Sequence, residues 1–144
     1  MQFPHTYQVT ADAESQAPVA LAAAGLETLE SAAPAEFGGP GDLWSPETLL
    51  VAALADCFIL TFKAIARASK FDWQKLSVSA SGTLDRVERV TQFTGFTLHA
   101  VLDVPEGTDP AKAERLLEKA EQGCLVSASL KATAQLTSEV KVPG

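Results

Sequence analysis

Residues 49–60 form an apolar run interrupted only by Asp56 and the thiol of Cys57. Ser45-Pro46-Glu47 stands just before it. Ser45 is a helix N-cap type, Pro46 suits the first helical position, and Glu47 is a favourable charge in a first turn. A helix therefore starts here and is predicted to reach about residue 69, before an exit through residues 70–73. A helix on a protein surface shows a polar face, whereas this one is apolar on nearly all sides, which predicts a central, buried helix. Such a helix must be covered all round, and one sheet covers only one side of it. A second copy of the chain is the natural cover, so a homodimer is expected. The run is shorter than the roughly 20 residues of a membrane span, and it carries Asp56.

The rest of the chain supplies the sheet. Residues 7–13, 18–24 and 26–32 read as short β-prone segments separated by turns, a small antiparallel meander. Residues 37–42, Phe37-Gly38-Gly39-Pro40-Gly41-Asp42, are a breaker cluster and must be a loop. Residues 76–81 and 96–102 alternate with period two, as half-buried strands do, and are predicted to pair as a hairpin. Asp109-Pro110 caps a second helix whose apolar positions Ala113, Leu116, Leu117 and Ala120 share one face, with Gly123 as its stop. Cys124 follows at once. A short helical or irregular piece through Leu130 leads to a last strand over residues 132–140. The predicted order is β-β-β-α-β-β-α-β, an α+β class with antiparallel sheets packed on the buried helix. At 144 residues the chain fits one domain, 1–144.

Charge excludes two partners. The net charge is −7, and residues 1–62 hold eight acids and no Lys or Arg. Nucleic acid and anionic membrane surfaces both ask for clustered cations, so neither is expected as a partner. Met1-Gln2-Phe3-Pro4-His5 lacks the basic and apolar regions of a signal peptide, and a cytoplasmic protein is predicted. In that reducing compartment two cysteines are a redox pair or two buried thiols rather than a permanent cross-link. No Walker or dinucleotide loop and no His-x-x-x-His or Cys-x-x-Cys spacing is present, so no metal or cofactor is expected. Taken alone, Cys57 and Cys124 are each more often small buried residues than nucleophiles. Phe37, Trp44, Leu54 and Phe58 cluster around the predicted helix start, where they either wall an apolar substrate pocket or pack in the core. His99 falls on the outward face of its strand.

The segment from Ser45 to Phe58 resembles the central-helix signature of the OsmC/Ohr family, the osmotically inducible and organic hydroperoxide resistance proteins. There a Pro-Glu opens the helix and a reactive Cys-Phe lies ten residues after the Glu. Cys124-Leu125-Val126-Ser127 resembles the family's Cys-Pro-x-Ser, and the glycine-rich loop and element order agree. The resemblance implies an intertwined dimer that reduces organic hydroperoxides as an antioxidant in the oxidative stress response. Cys57 is then the peroxidatic thiol, Cys124 the resolving thiol that forms a disulfide with it, and Glu47 a supporting residue. The implied reductant is a dithiol such as a lipoylated protein, with no haem, flavin or metal. Ten residues of helix separate Glu47 from Cys57 by roughly 15 Å, so any help from Glu47 comes from the partner subunit.

Two residues depart from the family pattern. Its peroxidases hold the thiolate with an arginine from the N-terminal strands, and here the first arginine is Arg67, with Arg86, Arg89 and Arg115 after it. Asp56 stands where the family usually has a small residue, and a carboxylate beside a thiol opposes ionisation. These departures keep two alternatives to a peroxidase open. One is a non-catalytic relative that binds a small apolar ligand at the dimer interface, and the other is a thiol redox sensor.

Overall fold

The computed structural model describes residues 1–144, which divide into two compact units, Met1–Leu50 and Val51–Gly144. The first unit holds three short strands, β1 (Thr10–Asp12), β2 (Val19–Ala22) and β3 (Leu29–Ser31), in an antiparallel sheet of that order. Each is shorter than the segment predicted for it. No apolar side chain of this unit is buried; its buried residues are Ser31 and Ser45. The loop after β3 folds back on it, with the Ala32 N–H donating to the Trp44 carbonyl oxygen at 2.9 Å. Two glycines make that possible. Gly38, at φ 89°, closes the 3-10 turn Ala35–Phe37 in the left-handed region. A Cβ on Gly39 would stand 1.6 Å from the Ala33 carbonyl oxygen. The glycine density of this loop is accounted for by its own backbone path.

Helix α1 (Pro46–Ala68) starts in the first unit and runs through the second. Its start is a reciprocal cap: the Thr48 N–H donates to Ser45 Oγ at 3.1 Å, and the Ser45 N–H donates to Thr48 Oγ1 at 2.9 Å. Within the chain α1 is not buried all round. Leu54, Phe58, Phe62 and Ala66, spaced four apart, form the buried stripe, while Ala53, Asp56, Leu60 and Ala64 are exposed. At 23 residues, as predicted to within a residue at its end, α1 is also long and apolar enough to cross a bilayer, which the run of 49–60 alone is not. The stripe it buries in the protein's own core is what a core helix requires.

Strands β4 (Lys75–Val87) and β5 (Val90–Asp103) form the predicted hairpin, longer than the sequence showed. Glu88 and Arg89, both at positive φ, make the tight two-residue connection. β5 turns Phe96, Leu98, Ala100 and Leu102 into the core, and Thr97 and His99 outward. Helix α2 (Pro110–Gly123) follows, capped by the Asp109 side chain accepting the Ala111 N–H at 3.0 Å. It buries Ala113, Leu116, Leu117 and Ala120. Helix α3 (Leu125–Ser129) and strand β6 (Ala134–Lys141) complete the chain.

One expectation is corrected: β6 pairs with β5 in parallel, Phe96↔Ala134 through Asp103↔Lys141, so this sheet is mixed rather than antiparallel. The crossover through α2 and α3 carries the chain back to the start of β5, as a parallel neighbour requires. The strands also form two three-stranded sheets. The class is α+β.

Candidate active site

Cys124 is the hinge between two helices. It ends α2 and begins α3 in an extended conformation, φ −71° and ψ 114°. Gly123 thus serves as the last helical residue rather than a left-handed stop. A Cβ there would lie 3.5 Å from Thr61 Cγ2, so the end of α2 lies against α1. Ser127 braces the joint by donating to Glu121 Oε1 at 3.2 Å. This seats the buried Cys124 thiol and the first turn of α3 against half-buried Cys57. Both cysteines are free thiols.

The two thiols are held differently. Burial opposes ionisation of Cys57, but four groups facing its sulfur outweigh it and hold the thiol below its ordinary value. They are the Val126 backbone N–H, the Cys124 thiol, the Thr61 hydroxyl and the Leu125 backbone N–H. Thr61 stands at the edge of hydrogen-bond range. Its hydroxyl donates to the Cys57 carbonyl oxygen at 2.7 Å, while its distance to the sulfur is 3.9 Å. Cys124 is pushed the other way, by burial first and then by the hydrogen bond to Cys57 and the charge of Cys57, with the Ser127 and Val126 amides opposing. One thiol is poised to ionise and its neighbour to remain protonated.

Cys57 opens on a groove of about 490 Å³. Its α1 wall is Ala53, Asp56, Leu60, Thr61 and Ala64, one helical face, and its other wall is Leu125 and Val126 of α3. Leu54 and Phe58 are not on it. Both are fully buried in the opposite stripe, because one residue along a helix turns the side chain by about 100°. Trp44 is largely exposed and lines a separate shallow cavity of about 400 Å³ with Gly41, Asp42, Leu43 and Thr48, and Phe37 is exposed on its 3-10 turn. Asp56 is exposed and faces the groove. Glu47 lies in the first turn of α1, and its Oε1 is buried without a hydrogen-bond partner.

No Lys or Arg lines the groove. Arg67, Arg86, Arg89 and Arg115 are all exposed. His99 is exposed too, its Nδ1 2.7 Å from Thr137 Oγ1, and His5 stacks edge-on against Phe3. The groups that favour the Cys57 thiolate are uncharged. Two of them are backbone amides, which no side-chain pattern announces; Thr61, four residues after Cys57 on a helix, was findable from spacing alone.

Comparison with known proteins shows the family and the fold. The sequence profile of the family described as OsmC-like protein matches residues 39–139. Peroxiredoxin OsmC of Escherichia coli is 31% identical over 97 residues, 67% of each chain. The uncharacterized protein YmaD of Bacillus subtilis is 27% identical over 117 residues, 76% of this chain and 75% of that one. Among solved structures, an organic hydroperoxide resistance protein OsmC from Legionella pneumophila superposes with a TM-score of 0.74 at 27% identity, covering 96% of this chain and 100% of its own. An OsmC-like protein of unknown function from Vibrio cholerae gives a TM-score of 0.79 at 18% identity, again over 96% and 100%. With the family's sequence pattern across most of its length and the family's fold across nearly all of it, the chain belongs to the OsmC-like proteins.

Proposed function

We propose that the protein is a thiol peroxidase that reduces organic hydroperoxides, with Cys57 as the attacking thiol and Cys124 as the resolving one. Its relatives support a peroxide-linked redox role, E. coli OsmC being a peroxiredoxin and the Legionella protein one of organic hydroperoxide resistance. The observation that carries the reading is the pair itself: two free thiols brought together where α3 begins against α1, Cys57 open to the groove and held low, Cys124 buried and held high. A lowered thiol pKa is what a peroxidatic cysteine needs, and the usual means is a cation. Here backbone amides take that place.

The chemistry balances without a cofactor. The Cys57 sulfur attacks the terminal oxygen of R–O–OH; an S–O bond forms, the O–O bond breaks, and the thiol proton ends on the departing alcohol R–OH. Sulfur is oxidised by two electrons to a sulfenic acid. The Cys124 sulfur then attacks the Cys57 sulfur, the S–O bond breaks, water leaves, and a disulfide remains. The order of steps is built into the charges. While Cys57 is a thiolate its charge disfavours ionisation of Cys124, and oxidation removes that charge when Cys124 must act. An external dithiol such as a lipoylated protein restores both thiols, in a cytoplasmic setting where they stay reduced between turnovers.

The working unit is a homodimer in this reading, one domain per chain. Three features support it: the uncovered face of α1, where Leu60 is 57% exposed; an N-terminal unit with no buried apolar side chain; and the unpartnered Glu47 Oε1. A second copy covers the first two, and Glu47 serves the site of the partner subunit. The test is intact mass within seconds of adding one equivalent of cumene hydroperoxide to the reduced protein. Loss of both thiols with a decrease of about two daltons supports the proposal. Unchanged thiols over minutes refute it, and leave an apolar ligand as the groove's occupant.

A further inference from the structure

We infer that Asp56 sets substrate charge at Cys57, admitting neutral hydroperoxides and turning away those whose own carboxylate lies near the peroxide. The inference rests on the peroxidase reading and narrows its substrate class. Asp56 faces the same groove as the Cys57 sulfur and is the one charged residue of its lining, which is otherwise apolar except for Thr61 and the thiol. No other residue of the lining offsets it. No Lys or Arg lines the groove, and the amides of Leu125 and Val126 face the sulfur. A second copy of the chain brings no cation from residues 1–62, which contain none. Among the residues that line the groove, an anionic substrate reaching the ionised sulfur therefore meets two negative charges and no positive one.

The expected size follows from Coulomb's law. Two charges roughly 6–8 Å apart in a groove that stays open to substrate and solvent interact strongly enough to change a rate about three- to tenfold, and salt screens the effect. The chemistry selected is the step given above: S–O bond formation at Cys57, O–O cleavage, and release of a neutral alcohol.

Two paired comparisons test it on the full-length protein at low ionic strength, each referred to a small free thiol to remove intrinsic reactivity. One pair is a neutral hydroperoxide and its carboxylate-bearing analogue. The other is iodoacetamide and iodoacetate, read on Cys57 by peptide mass. The wild type should favour the neutral member by about three- to tenfold over the free thiol. This preference should shrink as salt is raised through about 0.5 M, and Asp56→Asn should bring it to the free-thiol ratio. A wild-type ratio equal to that of the free thiol, or a preference that survives in Asp56→Asn, overturns the inference while leaving the peroxidase reading intact. If alkylation discriminates but no hydroperoxide oxidises Cys57, charge selection at the thiol holds and the peroxidase reading falls.

Discussion

Thr61 gives its hydroxyl proton to the Cys57 carbonyl oxygen at 2.7 Å, and the same oxygen stands 3.9 Å from the Cys57 sulfur. A hydroxyl has one proton to give. With it committed to the carbonyl, Thr61 accepts from the neutral thiol rather than donating to the thiolate. The Val126 and Leu125 amides and the Cys124 thiol hold Cys57 low whichever way the Thr61 proton points.

Substitution separates these contributions. Cys124→Ala should move the pH midpoint of Cys57 alkylation upward, because a donor to the thiolate is lost, whereas Thr61→Val should not raise it. The measurement is the pH dependence of iodoacetamide alkylation. An upward shift in Thr61→Val would mean that its proton turns to the sulfur instead.

The two cysteines should titrate on opposite sides of an ordinary thiol, Cys57 below and Cys124 above. For Cys57 the folded value is the lower one, so the stability it contributes is present above the unfolded thiol's pKa and is lost as pH falls through the folded pKa. Peroxide reactivity should fall in the same acid range. Cys57→Ala should bring the Cys124 midpoint down, since the hydrogen bond and charge that raise it disappear. Alkylation of each single-cysteine variant checks both directions.

Turnover should divide cleanly between the thiols. Cys57→Ser should reduce peroxide consumption to the uncatalysed background. Cys124→Ala should complete a first reduction and then over-oxidise, seen as successive additions of about 16 daltons on Cys57. Steady turnover by Cys57→Ser would remove it from the mechanism.

Phe58, next to Cys57 but on the buried stripe, should behave unlike it. Phe58→Ala empties a fully buried site and should cost about 3–5 kcal/mol in denaturant unfolding. Leu60→Ala, on the open face, should change chain stability far less but weaken association. Sedimentation of the wild type should give about twice the chain mass of 15.2 kDa, and a shift toward the single-chain mass for Leu60→Ala or Leu60→Glu checks the second effect.

The sequence determined what local chemistry could reach: a helix started by Ser45, Pro46 and Glu47, a hairpin from two alternating segments, the stripe of α2, and two cysteines worth suspecting. It did not determine which side of α1 is buried. An almost uniformly apolar helix carries little phase information, and only packing showed that Leu54 and Phe58 face the core while Asp56 and Cys57 face the groove. Nor did it show that β6 would return parallel to β5, since alternation gives a strand's faces and not its direction. The donors around Cys57 were equally hidden. The N–H groups of Leu125 and Val126 face Cys57 because α2 ends at Gly123, beside Thr61 of α1, and Cys124 there turns the chain into α3. Every residue carries such a donor, so where they converge is decided by tertiary structure alone.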